Sequence, residues 1–169
     1  MTDESPAEPI AFDSREFRNV LGHFATGVTV VTGTADGVPL GLAANAFSSV
    51  SLDPPLILVC MSATSETWPV IRKTGSFGVN VLGEHQHEVS RRFGRKNIDR
   101  FESLDWETAV TGSPVFPESL AWIDCVIDAE HSAGDHTVVI GRVVALARQH
   151  EGGRPLLFFQ GTYGRLEPL

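Results

Sequence analysis

Residues 121–147 have the sequence AWIDCVIDAEHSAGDHTVVIGRVVALA, and this stretch decides the fold class. From Ala121 to Ala129, apolar residues alternate with mostly polar neighbours, which is the pattern of a half-buried strand. Residues 137–147 are rich in valine and favour a second strand. The turn-forming residues Gly134 and Asp135 lie between the two segments. The stretch therefore predicts a long antiparallel β-hairpin.

Further short strands are predicted on both sides of this hairpin. The pattern predicts strands at 28–32, 39–47, 50–52, 56–61, 76–82 and 155–160, and helices at 13–25, 65–73 and 84–93. The continuous apolar run 56–61 suggests a strand buried on both faces, and 94–113 is expected to be an irregular loop. Because helices and strands do not alternate regularly, we expect a mainly β fold, a closed antiparallel barrel with flanking helices.

The chain has 169 residues, which suits one domain with a single hydrophobic core. Residues 1–12 are acidic and proline-rich, and we expect a disordered tail there, followed by one domain over 13–169. The start lacks the basic and apolar segments of a signal peptide, and two isolated cysteines imply no disulfide framework. We therefore expect a cytoplasmic protein.

The formal net charge of -8 argues against nucleic acid and anionic membranes as partners. The chain lacks the glycine-rich dinucleotide fingerprint, the phosphate-binding loop of nucleotide hydrolases and the G-x-S-x-G nucleophile elbow. His85 and His87 are two residues apart in a predicted helix, where their side chains diverge, so we predict no metal site.

Two segments carry residues suited to ligand chemistry. Residues 43–55, AANAFSSVSLDPP, combine small side chains with Asn45, Ser48, Ser49 and Ser51, which can donate and accept hydrogen bonds to a heterocycle or a phosphate. Considered alone, this segment is also compatible with an ordinary polar connection between strands.

The second segment is Gly134-Asp135-His136 at the tip of the long hairpin. A histidine at the start of a strand can bind a carbonyl or a phosphate, and Asp135 could orient its ring. An incidental histidine beside a turn is the alternative. A weaker candidate is the hydroxyl-rich run 62–67, SATSET, ahead of a short helix, where phosphate binding and plain capping by Ser65 are both open.

Several segments, in the same order along the chain, resemble the short flavin reductases of two-component monooxygenases. They are residues 17–32, 41–60 and 76–82, the Arg92–Lys96 and Arg100-Phe101 segments, and Gly134-Asp135-His136. The resemblance runs from about residue 17 to residue 164. It implies a split β-barrel of the FMN-binding type, a homodimer, and hydride transfer from NADH to FAD or FMN. It also implies a partner monooxygenase that uses the reduced flavin.

The resemblance also implies a set of site residues. His136 is expected to face and orient the nicotinamide, as the one residue assigned a catalytic role. The expected cofactor-binding residues are Gly41, Leu42, Ala43, Ala44, Asn45, Ala46, Ser49, Val50, Ser51, Cys60, Met61, Ser62, Ser65, Phe93, Lys96, Phe101, Gly134, Asp135, His136 and Tyr163.

Two other functions fit the same barrel, because a fold does not fix a function. One is a flavin- or haem-binding carrier or sensor without turnover. The other is an oxidase of the pyridoxine-phosphate type, which would need a basic cluster for the substrate phosphate. Gly134-Asp135-His136 favours the reductase, because a carrier has no use for a residue that faces a nicotinamide.

Overall fold

The structure, a computed structural model, describes residues 12–168. The helices are α1 (Ser14–Leu21), α2 (Trp68–Arg72) and α3 (His87–Phe93), the last preceded by a 3₁₀ turn at Glu84–Gln86. The strands are β1 (Thr26–Gly27), β2 (Thr29–Ala35), β3 (Val38–Ala44), β4 (Phe47–Leu52), β5 (Pro55–Ser62), β6 (Ser76–Val81), β7 (Glu107–Thr108), β8 (Pro114–Val115), β9 (Ala121–Ala133), β10 (His136–Arg148), β11 (Leu156–Phe159) and β12 (Thr162–Arg165). The predicted tail, residues 1–12, lies outside the described residues except for Phe12.

The predicted long hairpin is confirmed as β9 and β10. The two strands pair antiparallel from His136 opposite Ala133 to Arg148 opposite Ala121. Gly134 has φ +63° at the tip, a conformation that glycine adopts without a steric cost. The β2–β3 hairpin is confirmed too, and its turn places Asp36 at φ +51° and Gly37 at φ +76°.

Seven antiparallel strands form the principal sheet, in the order β3-β2-β6-β9-β10-β5-β4. Strands β1, β11 and β12 form a second sheet, and β7 pairs with β8. The described chain is therefore mainly β, antiparallel, with few helices. The long β9–β10 hairpin lies at the centre of the principal sheet because each of its strands has a second neighbour, β6 or β5.

Several predicted boundaries differ from the structure. Helix α1 ends at Leu21 rather than near residue 25, because Gly22 caps it and the chain then enters β1. The predicted strand 39–47 is two strands, since the chain changes partner from β2 to β5 across Asn45 and Ala46. Within the predicted loop 94–113, β7 forms, and β12 follows the last predicted strand.

The prediction that both faces of 56–61 are fully buried is wrong. Along β5, Ile57, Val59 and Met61 are buried, whereas the alternate residues keep partial exposure. Strand β5 has neighbours on both edges, but only one of its faces points into the core, so burial follows the period of two.

The interior has two apolar clusters. The main cluster packs side chains of the principal sheet, among them Val31, Val59, Phe77 and Val139, against α2 through Trp68. The second cluster joins Leu82, Phe93, Phe116 and Leu156, and so anchors the end of α3 beside β3. A buried carboxylate, Asp124, accepts hydrogen bonds from the backbone N–H and the hydroxyl of Thr111. Burial, together with the charge of Asp124, raises the pKa of the neighbouring Cys125 thiol to about 12.

Candidate functional site

A large open cleft lies beside helix α1, and we call it the helix cleft. It has a volume of about 1020 Å³, at the upper end of the range for ligand sites. Its walls are α1 with the segment that follows, the β3–β4 connection, and the end of β11 with the turn that leads to β12. The lining residues are Phe17, Arg18, Asn19, Leu21, Gly22, His23, Phe24, Thr26, Asn45, Ala46, Phe158, Gln160 and Gly161.

A second cleft, of about 340 Å³, lies beside the end of β3, next to the β3–β4 connection. We call it the loop cleft, because the loop after α3 forms one wall. Its lining residues are Leu42, Ala43, Ser65, Glu66, Thr67, Phe93, Gly94, Lys96, Asn97, Ile98 and Arg100. Residues 42–43 face the loop cleft and residues 45–46 face the helix cleft, so five consecutive residues connect the two.

Arg100 fixes the wall of the loop cleft. Its Nη1 donates to the carbonyl oxygen of Gly41 at 2.7 Å and to Oγ1 of Thr67 at 2.9 Å, and its Nε donates to the carbonyl oxygen of Arg95 at 2.8 Å. Burial lowers the pKa of Arg100, partly opposed by the charge of Glu66. The guanidinium still stays protonated at neutral pH. One side chain therefore connects the loop, β3 and the segment ahead of α2.

Gly41 is required where the loop cleft meets β3. A Cβ at this position would lie 2.7 Å from Cε1 of Phe93, closer than packed carbon atoms approach. Phe93 is itself fully buried. The close approach of β3 to α3 therefore depends on glycine.

The hairpin tip brings a histidine and a carboxylate together. Nδ1 of His136 lies 2.8 Å from Oδ1 of Asp135, and the His136 side chain is 46% exposed. The hydrogen bond from His136 lowers the pKa of Asp135, and the charges of His136 and Arg18 add to this effect. The contact is therefore present near neutral pH and weakens as the pH falls through the lowered pKa of Asp135.

Backbone pairing places this tip close to the helix cleft. His136 lies opposite Ser62 on β5, and the N–H of Ala63 donates to the carbonyl oxygen of Asp135 at 2.9 Å. Two residues earlier on β5, the N–H of Cys60 donates to the carbonyl oxygen of Ala46 at 3.1 Å. Strand β5 thus connects the tip to the β3–β4 connection.

The other predicted site residues are spread more widely. Ser49, Val50 and Ser51 lie on β4, around a bulge in its pairing with β5, and line neither cleft. The Met61 side chain is buried in the main core, which leaves only its backbone for a ligand.

Two predicted aromatic contacts also lie away from the cleft linings. Phe101 packs edge-to-face on Phe93, at a centroid distance of 5.1 Å, behind the loop cleft. Tyr163 bonds to the Ser90 hydroxyl at 2.9 Å and lines a separate cleft of about 390 Å³. The structure does not bring Tyr163 to either the helix cleft or the loop cleft.

Sequence reasoning did not assign a binding role to Arg18, Phe158, Gln160 or Gly161, which line the helix cleft. Gln160 reaches the α1 segment, since its Nε2 lies 2.8 Å from Nε2 of His23. These residues are 137 positions apart in the chain, and no local sequence pattern predicts a contact between them. The sequence did contain a signal for Arg100, because Arg100-Phe101 is one of the segments that resemble the flavin reductases.

Among residues 12–168, no cluster of three or more metal-binding side chains occurs. Over the same residues, the helices are all too short or too polar to cross a membrane.

The family model described as flavin reductase like domain matches residues 21–167. The chain belongs to this family. It is 45% identical to the reductase subunit HsaB of a flavin-dependent monooxygenase from Rhodococcus jostii, over 99% of this chain and 86% of that protein. It is 44% identical to the FMN reductase (NADH) SmoA of Agrobacterium fabrum, over 98% of this chain and 93% of that protein.

A solved structure adds to these relatives. The NADH:FAD oxidoreductase SgcE6 of Streptomyces globisporus C-1027, in complex with NAD and FAD fragments, superposes with a TM-score of 0.85 at 34% identity. The alignment covers 96% of this chain and 98% of that one. The predicted family, and flavin reduction as its class of activity, are thereby confirmed.

Proposed function

We propose that this protein transfers hydride from NADH to FAD or FMN and releases the reduced flavin to a partner monooxygenase. The observation that carries the proposal is the position of the Asp135–His136 pair, one strand away from the large helix cleft. Two relatives support it, since one is the reductase subunit of a flavin-dependent monooxygenase and the other is an NADH-dependent FMN reductase.

The residues present fit a flavin across the segment 42–46. Ala43 and Ala44 are small and only partly buried, and Ala46 is exposed, so a flat ring could approach the backbone closely. At the loop cleft, the Ser65 hydroxyl and the Lys96 ammonium suit the ribityl and phosphate groups. The Ser65 hydroxyl already accepts a bond from the N–H of Trp68 at 3.1 Å and can still donate its own proton.

The protein residues position the nicotinamide and the flavin and do not themselves react. Flavin supplies the hydride acceptor when bound, so no protein acid or base is required for the transfer. Asp135 holds the His136 ring through Nδ1, which leaves Nε2 free to bind and orient the nicotinamide. Backbone amides of the β3–β4 segment would stabilise the negative charge of the reduced ring.

We further propose that the protein is a homodimer. Phe17, Val20, Leu21 and Phe24 are 49%, 65%, 55% and 76% exposed on and just after α1. Such an apolar stripe is a liability on a monomer, and a second copy of the chain would cover it. Phe17, Leu21 and Phe24 also line the helix cleft, so this proposal places the cleft beside the interface between the two copies. Light scattering coupled to size-exclusion chromatography should give twice the chain mass, and a monomer at micromolar concentration would contradict this.

The remaining expectations concern architecture and location. We propose that residues 13–169 form one domain and that its principal sheet closes into a split barrel. Closure is supported because the two edge strands, β3 and β4, are joined by only Asn45 and Ala46. A cytoplasmic location is supported by Cys60 and Cys125, which are both free thiols.

The test is NADH oxidation by the purified protein, with FAD, FMN or riboflavin added in turn. We expect catalytic turnover, with the preferred flavin giving the largest kcat/KM. A second assay adds a flavin-dependent monooxygenase and follows its product. Flavin binding without NADH consumption would contradict the reductase and favour the carrier.

A further inference from the structure

The helix cleft is lined mainly by apolar and neutral polar side chains. Among its described lining residues, Arg18 is the one with a permanent charge. It lies in the last turn of α1, where the helix dipole favours a cation, and it lines the helix cleft. Because the chain has a net charge of -8, an arginine in this position is a local exception to the charge of the whole protein.

Arg18 also acts electrostatically on the hairpin tip. Its charge contributes to the environment of the Asp135 carboxylate, which holds the His136 ring. Arg18 lines the helix cleft together with Ala46, whose carbonyl oxygen accepts from the N–H of Cys60 on β5, two residues before the partner of His136. The cleft that contains Arg18 is therefore connected through β5 to the Asp135–His136 pair.

The ligand expected in this cleft carries negative charge at a fixed distance from its reactive ring. In NADH, one ribose separates the nicotinamide from a diphosphate with two negative charges. An acidic protein repels such an ion unless a cation is placed at the phosphates. A guanidinium suits this role, because its planar fork of donors matches phosphate oxygens.

We propose that Arg18 binds the diphosphate of the nicotinamide dinucleotide while His136 orients its nicotinamide ring. This inference rests on the proposed function, and it adds a residue from α1 to the nicotinamide site. The donors proposed for the flavin phosphate, Ser65 and Lys96, line the loop cleft instead. Arg18 is therefore assigned to the hydride donor and not to the acceptor.

The test compares two hydride donors. NADH contains the diphosphate, and 1-benzyl-1,4-dihydronicotinamide has the same reactive ring without any phosphate. For Arg18→Gln, we expect KM for NADH to rise about tenfold, as for the loss of one charge-assisted hydrogen bond. The KM for the benzyl compound, the KM for flavin and kcat should stay within about twofold of wild type.

Two further variants control the experiment. Arg15→Gln removes the same charge from the same helix at a position that does not line the cleft, and it should leave KM for NADH unchanged. Arg18→Lys keeps the charge but loses the fork, and its KM for NADH should lie between those of wild type and Arg18→Gln. Thermal unfolding of each variant checks that α1 is intact.

Salt gives an independent readout. In wild type, KM for NADH should rise with ionic strength, and this dependence should be shallower in Arg18→Gln. The proposal is overturned if Arg18→Gln weakens both donors equally, which would mean a structural role for the helix, or if it changes neither. If wild type oxidises neither donor in the presence of flavin, the proposed function itself fails.

Discussion

The two clefts flank the same five residues of chain but are built differently. The loop cleft rests on buried anchors: Phe93 is 1% exposed, and Arg100 bonds to three separate segments. The wall of the helix cleft is α1, none of whose residues is buried. Many buried contacts make a region rigid, and few make it adaptable. In the single chain, the loop cleft that we propose for the flavin phosphate is therefore preformed, whereas the helix cleft that we propose for the nicotinamide dinucleotide has an adaptable wall.

The largest expected effect concerns the hairpin tip. His136→Ala should lower kcat/KM for NADH about 100-fold, the scale of a misplaced reactant, with little change in flavin affinity. Steady-state kinetics with each substrate varied, together with flavin titration, would measure both. His131→Ala, an exposed histidine on the same hairpin, is the matched control and should behave as wild type. Equal losses for NADH and flavin would remove the distinction between the two clefts.

A smaller effect is expected at the loop cleft. Arg100→Ala removes the bonds to Gly41 and Thr67, and should raise KM for flavin about tenfold because charge-assisted bonds position the wall. The KM for NADH should not change. Arg100→Lys should recover part of the loss, since it keeps a cationic donor group at a single nitrogen but loses the planar fork.

Arg95→Ala controls for charge in the same loop. The carbonyl oxygen that Arg100 uses belongs to the backbone of residue 95, so this bond survives the substitution. The preformed character of the loop cleft would be refuted if Arg95→Ala and Arg100→Ala had the same effect on flavin.

The smallest expected effect tests where the flavin lies between the clefts. Cys60 is half-buried on β5 and hydrogen-bonded to Ala46, whereas Cys125 is buried with its pKa raised to about 12. At pH 8 only roughly one Cys125 thiol in ten thousand is ionised, so it should not react with a thiol reagent in the folded protein. Saturating flavin should slow the labelling of Cys60 severalfold.

Mass spectrometry of the labelled protein distinguishes the two thiols, and the variant Cys125→Ala leaves only Cys60 to follow. NAD⁺ without flavin should protect Cys60 less than flavin does. Labelling of Cys60 that is insensitive to flavin would place the ring away from β5.

Much of this architecture follows from local patterns. The alternation over 121–129 and the glycine at 134 specify the hairpin, and Asp36-Gly37 specify the β2–β3 turn. The split between β3 and β4 was missed, because small residues such as Ala43 and Ala46 have no strong preference and the break arises from an exchange of strand partners.

The sequence by itself determined the antiparallel hairpins, the family and the Gly134-Asp135-His136 tip, since turn conformations and burial period depend on neighbouring residues. Only the tertiary structure decided which residues share a cleft. It brought Arg18 into one cleft with Asn45 and Ala46 and Gln160 against His23, and it separated Tyr163 from both clefts. The physical reason is that these contacts join elements far apart in the chain. Their formation depends on how complete strands and helices pack, and no short stretch of sequence determines that packing.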